Sequence, residues 1–352
     1  MRSFGCPRCR AAVSFEALTC PVCGARLGYH PPDAQFYVVQ DKVADVGGIA
    51  WSECGNRSWG CNWLVDPVTG RSTCAAATFV RKRPEASDPV GLDKLADTMQ
   101  WLRRLLYQLQ HLGLPMQTYR QKDGALAFDL LSSITSGQPV TIGHANGVIQ
   151  IDLAESLDDQ RERLRIRLGE PYRTMLGHLR HEVGHYYQSI LVEQPGGARL
   201  EQCRDLFGDE RTSYSDEIAR HYKFGAPQDW RESYISEYAT MHPWEDFAEC
   251  FAHYLHISDT METAAASGMM LSTQRINDYA GPAISPRFDY SAEPFETVLS
   301  DWDWLQTFFN RINRSMGKKD LYPFEINDVV ARKLAFIHQV VASAQSPVQQ
   351  PA

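Results

Sequence analysis

The sequence predicts an α+β protein: a small cysteine-rich β module followed by a mostly helical domain that carries a small sheet. Seven of the nine cysteines fall within the first 74 of 352 residues, and that crowding reads as metal binding rather than as a disulfide framework. From Leu92 onward apolar residues recur at helical spacing, and one Asn-Gly dipeptide separates two short β-type runs. With 43% apolar and 22% charged residues the chain can bury a full core. Its formal net charge of −8 has the wrong sign for a surface that binds nucleic acid as a whole. No run of 18 apolar residues occurs, and the opening Met1-Arg2-Ser3-Phe4-Gly5-Cys6 lacks the apolar core of a signal peptide. A cytoplasmic location without a membrane partner is therefore expected.

Residues 1–35 contain Cys6-Pro7-Arg8-Cys9 and Cys20-Pro21-Val22-Cys23-Gly24. Two Cys-x-x-Cys knuckles place four thiolates at the corners of a tetrahedron around Zn²⁺, and Gly24 lets the second knuckle turn tightly. Residues 36–83 read as a second β-rich module, with runs at Phe36–Val39, Cys61–Val65 and Ala77–Val80, and they carry Cys54, Cys61 and Cys74. Those three thiols supply three of the four ligands of a second structural zinc, but position 77, where a Cys-x-x-Cys would end, is Ala77. The alternative is that they pack as small apolar residues. Arg81 to Pro89 is charged and broken by proline, the pattern of a linker.

Residues 84–345 are expected to form the main domain. Leu92, Leu95, Met99, Leu102, Leu105, Leu106 and Leu109 mark a long amphipathic helix that Gly113 and Pro115 end. Val140 to Leu153 reads as two strands about Asn146-Gly147, and the rest as helices with turns near Pro195, Pro227 and Pro286. Residues 346–352 are expected to be a frayed tail.

The chemistry is concentrated in two stretches. In His181-Glu182-Val183-Gly184-His185 the histidines are i and i+4, so on a helix starting near Pro171 both imidazoles leave one side and can grip one Zn²⁺. Glu182 is then placed to take a proton from water that the metal has acidified. The pattern arises by chance in about one chain in a hundred of this length, so it needs support. The bland reading is a helix with exposed histidines, His178 among them.

Support comes from His242-Pro243-Trp244-Glu245-Asp246-Phe247-Ala248-Glu249, where Pro243 starts a second helix. Phe247, Cys250, Phe251 and Leu255 form its packing stripe. A catalytic zinc takes a third protein ligand and keeps a fourth position open. Glu245 fits as that ligand, with Glu249 receiving the other ring N–H of a zinc-bound histidine. The reverse assignment, or His242 or His253 as ligand, stays open. Cys203 and Cys250, without partners nearby in sequence, read as buried thiols.

Cys61-Asn62-Trp63-Leu64-Val65, Gly143-His144-Ala145-Asn146-Gly147-Val148-Ile149, Gly169-Glu170-Pro171-Tyr172-Arg173 and the two stretches above together resemble bacterial zinc-binding metallopeptidases that carry an N-terminal zinc ribbon. The agreement runs from Cys6 beyond Phe324. The resemblance implies a zincin-like peptidase domain with one catalytic zinc. The chain departs from it at Ala77, which puts the second ribbon zinc in doubt. The second helix is also similar to that of the lethal-factor type of zinc peptidase, where a Glu ligand has a Glu four residues later and a Tyr seven residues earlier. Tyr238, Glu245 and Glu249 match those spacings, so Tyr238 is expected to donate a hydrogen bond to the developing oxyanion.

The expectation is a zinc-dependent peptidase with one catalytic zinc on His181, His185 and Glu245, Glu182 as general base, one or two structural zincs, and a peptide or protein as substrate. An edge strand at the hairpin would let an extended peptide pair by its main chain. The alternative is a zinc-ribbon adaptor, or a module binding protein or nucleic acid, built on a non-catalytic peptidase fold. A protein partner would then dock on the ribbon.

Overall fold

A computed structural model of the chain describes residues 2–133, 137, 140–156, 174–272 and 283–345. It divides into two compact units, one within Arg2–Gln160 and the other within Arg161–Ser346. The architecture is α+β, an N-terminal strand module followed by a mostly helical region. Among the described residues no helix is long and apolar enough to cross a membrane.

In the first unit, β1 (Phe4–Gly5) pairs antiparallel with β2 (Ala12–Val13), and the next hairpins are β3 (Leu27–His30) with β4 (Gln35–Val38) and β5 (Val43–Val46) with β6 (Ile49–Glu53), the latter joined by β7 (Leu64–Val65). The two cysteine knuckles close in the same way: Arg10 N–H donates to the Cys6 carbonyl at 2.9 Å and Gly24 N–H to the Cys20 carbonyl at 3.0 Å. Both turn residues lie in the left-handed region, Gly24 at φ 67° and Arg10 at φ 64°. Only the second knuckle has glycine there, so the first tolerates a strained arginine. Phe4, Phe15, Tyr29, Phe36 and Tyr107 pack edge to face beneath these strands, and such pairs add to the area they bury.

Helix α1 (Pro89–His111) starts before Leu92 because the Asp88 carboxylate accepts from Gly91 N–H at 2.7 Å and Pro89 opens the first turn. Its Leu102, Leu105, Leu106 and Leu109 are buried. Two of the expectations for this unit need correction. Ala77–Val80 is not a strand: Ala75–Phe79 forms a 3-10 turn, and the strand β8 spans Val80–Lys82. The linker pattern at Arg81 also conceals sheet structure, because β8 pairs in parallel with β9 (Ala127–Leu131), and the Arg81 guanidinium binds both oxygens of buried Asp129 at 2.8 and 2.6 Å.

β9 continues in parallel to β11 (Val148–Asp152), whose other edge carries β10 (Gly143–Ala145), giving the order β10-β11-β9-β8. Asn146 and Gly147, both at positive φ, form the β10–β11 turn. β9 is the strand the pattern analysis missed. Leu126 to Leu130 is an almost unbroken apolar run, as expected of a strand buried on both faces, and it has no alternation to read.

The second unit contains α2 (Met175–Gln188), α3 (Gly197–Phe207), α4 (Tyr214–Phe224), α5 (Pro243–Ala266), α6 (Phe295–Ser315) and α7 (Asp328–Ala344). α2 begins at Met175, with the Thr174 hydroxyl accepting from Gly177 N–H. Pro171, expected in a first helical turn, and the tail at 346–352 lie outside the described residues. α5 begins at Pro243 as predicted, capped by the His242 ring.

α5 is the central rod. Its Phe251 stacks on Tyr187 of α2 at 5.5 Å, and Phe247 meets Phe207 of α3 at 5.3 Å. α2 and α5 approach so closely at Gly184 that a Cβ there would stand 2.9 Å from Ala248 Cα and 3.2 Å from Phe251 Cβ. α7 is fixed to α5 by a fully buried ion pair, Lys333 Nζ to Asp246 Oδ2 at 2.5 Å, with Lys333 also donating to the Ser233 carbonyl at 2.7 Å. Cys203 and Cys250 are buried thiols.

Candidate metal centre

The close helix crossing at Gly184 faces the His-Glu-x-x-His turn of α2 toward the first turn of α5. The ligand atoms of His181, His185 and Glu245 all lie within 4.8 Å of one another. Glu245 Oε2 stands 2.9 Å from His181 Nε2 and 3.5 Å from His185 Nε2. On the far side of the His181 ring, Nδ1 donates to Glu249 Oε1 at 2.8 Å, and Ser236 Oγ donates to Glu249 Oε2 at 2.6 Å. The two carboxylates thus divide one imidazole between them. His242 and His253 are engaged elsewhere, His242 with Trp244 N–H and Thr212, and His253 with the Tyr322 hydroxyl.

Two imidazoles and a carboxylate are a donor set that suits zinc, and here they converge in a nearly dry site where an unpartnered charge would be costly. Glu245 is 2% exposed. Burial pushes its pKa up, yet the charges of and hydrogen bonds from His185 and His181 hold it well below the usual carboxylate range. Burial also disfavours a charged His181, but the hydrogen bonds to Glu245 and Glu249 prevail and raise its pKa well above the ordinary histidine value. Glu249 is drawn down to about 2; burial opposes this shift, and the His181 hydrogen bond and charge drive it.

Glu182 follows His181 on α2 and is 4% exposed. Its Oε1 faces His178 Nε2 at 3.2 Å, while Oε2 is buried without a hydrogen-bond partner among the described residues. Burial alone would raise its pKa, but the hydrogen bond with His178 and the neighbouring imidazoles lower it, so the carboxylate form prevails at neutral pH. A carboxylate oxygen with no partner among the described residues is able to accept a proton. Tyr238, in the 3-10 turn Tyr238–Met241 before α5, sets its ring 5.6 Å from that of His181, and its hydroxyl makes no hydrogen bond to a described residue.

Three contributors were not singled out from sequence. Tyr214, from α4, donates to Glu245 Oε1 at 2.7 Å, and Ser236 holds Glu249. Neither belongs to a local motif, since 31 and 13 residues separate them from their partners. His178 was visible only as another histidine on the α2 face, although its i, i+4 relation to Glu182 was available as a signal.

The first unit holds two sulphur clusters. Cys6, Cys9, Cys20 and Cys23 converge, with Sγ–Sγ distances of 3.7 Å for Cys6–Cys23 and 3.6 Å for Cys9–Cys20. Cys54, Cys61 and Cys74 form a buried trio, with 3.6 Å between Cys61 and Cys74. Hydrogen bonds from Cys61 and Cys74 pull the Cys54 thiol down to about 3. No fourth acidic, histidine or cysteine ligand joins the trio among the described residues.

Comparison with known proteins finds two families along the chain, with a boundary that differs from that of the compact units: most of α1 and the sheet strands β9–β11 belong to the first unit but fall within the more C-terminal match. A family described as "Putative zinc-binding metallo-peptidase" matches residues 92–340, and a zinc-ribbon domain family matches residues 3–88. An uncharacterized protein of Mycobacterium bovis and one from each of two strains of Mycobacterium tuberculosis are each similar to the chain at 41% identity over 343 residues, covering 97% of this chain and 95% of theirs. No solved structure matches.

Proposed function

The chain belongs to this zinc-binding metallopeptidase family, with a zinc ribbon at its N-terminus, and from that premise we propose that it hydrolyses peptide bonds in a peptide or protein substrate. The observation that carries the reading is the convergence of His181, His185 and Glu245 beside the unpaired Oε2 of Glu182. His181, His185 and Glu245 would hold the catalytic zinc. When bound, zinc supplies a Lewis acid that polarises the scissile carbonyl and acidifies water.

The chain's own residues do the rest. Glu182 takes the proton of the attacking water on its free oxygen and hands it to the leaving amine, while His178 keeps the other oxygen engaged. Glu249 holds the Nδ1 proton of His181 and so leaves Nε2 as the ring nitrogen that would bind the metal. Tyr238, whose ring lies 5.6 Å from that of His181, donates from its hydroxyl to the developing oxyanion. Cys6, Cys9, Cys20 and Cys23 would hold one structural zinc, and Cys54, Cys61 and Cys74 supply three thiolates for a second.

The test is Glu182→Gln in the full-length chain, assayed on casein and on a peptide library with zinc content measured alongside. Zinc content stays at the wild-type value, and chelator-sensitive hydrolysis falls by about 10²–10⁴-fold. Turnover retained in the variant removes Glu182 from the mechanism. Wild-type protein that holds zinc on the two-histidine helix and hydrolyses nothing in the library would favour an adaptor built on this fold.

A further inference from the structure

α4 is an unusual neighbour for a buried charge. None of its residues is buried, and Tyr222 and Phe224 are 60% and 71% exposed. Its first residue nevertheless reaches the least accessible carboxylate of the candidate centre, with the Tyr214 hydroxyl donating to Glu245 Oε1.

The approach is built rather than incidental. The His242 ring accepts from Trp244 N–H through Nδ1 at 3.1 Å, which leaves the proton on Nε2, and Nε2 donates to the Thr212 carbonyl at 3.1 Å. The Tyr214 ring then packs edge-on against His242 at 5.2 Å and beside Trp244 at 5.9 Å. The turn that starts α5 and delivers Glu245 therefore also fastens Thr212–Tyr214.

We propose that Tyr214 is a positioning residue for Glu245: it ties one carboxylate oxygen so that the other alone is presented to the imidazole pair. The inference rests on the metal reading above. The terminal torsion of a glutamate is broad and roughly two-fold, so an untethered carboxylate can swing or offer both oxygens. With Oε1 held by the phenol, Oε2 stays 2.9 Å from His181 Nε2, and the charge-assisted hydrogen bond resists rotation. A tether of this kind keeps coordination positions free for substrate and water, and loss of such outer partners costs about 10–100-fold in metal affinity or activity.

Tyr214→Phe tests this because it keeps both ring contacts and deletes only the donor. Zinc affinity of the full-length chain is measured by competition with a chromophoric chelator, with Glu245→Gln as the reference that identifies this class of zinc. The expected result is a fold as stable as wild type and about a 10–100-fold weaker affinity for that class, with kcat reduced and KM nearly unchanged. A purely structural hydroxyl would instead lower the unfolding midpoint and leave zinc affinity where it was. That outcome, with Glu245→Gln still abolishing the zinc, overturns the role of Tyr214 alone. Zinc content unchanged in Glu245→Gln overturns the metal reading, and this proposal with it.

Discussion

Gly184 shows how a single atom sets the candidate centre. Glycine inside a helix usually costs about 1 kcal/mol relative to alanine, yet here the absent Cβ is what lets α2 and α5 meet over Ala248 and Phe251. Gly184→Ala is therefore expected to destabilise by about 1–3 kcal/mol through overpacking and to lose zinc from the two-histidine helix, read by denaturant midpoint and metal analysis. His181 gives a second residue-scale prediction. Held between Glu245 and Glu249, it carries a proton in the metal-free chain; the stabilisation this gives is present below the ordinary histidine pKa and is lost as pH rises through the raised value. Zinc must displace that proton, so affinity falls as pH falls, and titration calorimetry in buffers of different ionisation enthalpy should show more protons released by wild type than by His181→Ala. The grouping of His181 and His185 was legible in the sequence because helical spacing puts i and i+4 on one face, and Glu245 because Pro243 marks the first turn of a second helix. Tyr214 and Ser236 were not, because only the folded chain brings them to their carboxylates.

At the scale of elements, α5 was the most legible, since Pro243 and the Phe247–Phe251 stripe announce its start and its buried side. The role of α7 was hidden, because Lys333 reads as a solvated helix residue until Asp246 is found opposite it in the core. Burial drives the Asp246 pKa up, to about 7, against the pull of Lys333. Lys333→Met would leave that carboxylate without its cation, and a loss of about 3–5 kcal/mol is expected in chemical denaturation. Little change in the unfolding midpoint would show that Asp246 accepts a proton at small cost. The missed strand β9 and the 3-10 turn at Ala75–Phe79 share one cause: apolar runs of about five residues carry no periodicity of their own, and their partners decide what they become. Lys82 and Arg81 read as linker for the related reason that a strand of three residues is defined by its pairing, here with Phe128 and Asp129.

For the molecule as a whole, each compact unit builds its candidate metal sites from its own residues. Replacing Cys9 and Cys20 by serine is expected to lower zinc content by one per chain and to destabilise the first unit, while the zinc class abolished by Glu245→Gln stays in place. Loss of both together would show that the sites are not independent. The donor chemistry of the two units has a further consequence. The first offers only sulphur; the second offers imidazole nitrogen and carboxylate oxygen. Thiolates prefer soft ions and the mixed set accepts harder ones, so a cell challenged with cadmium or copper would load its contaminant onto the N-terminal cysteines first and spare the histidine pair.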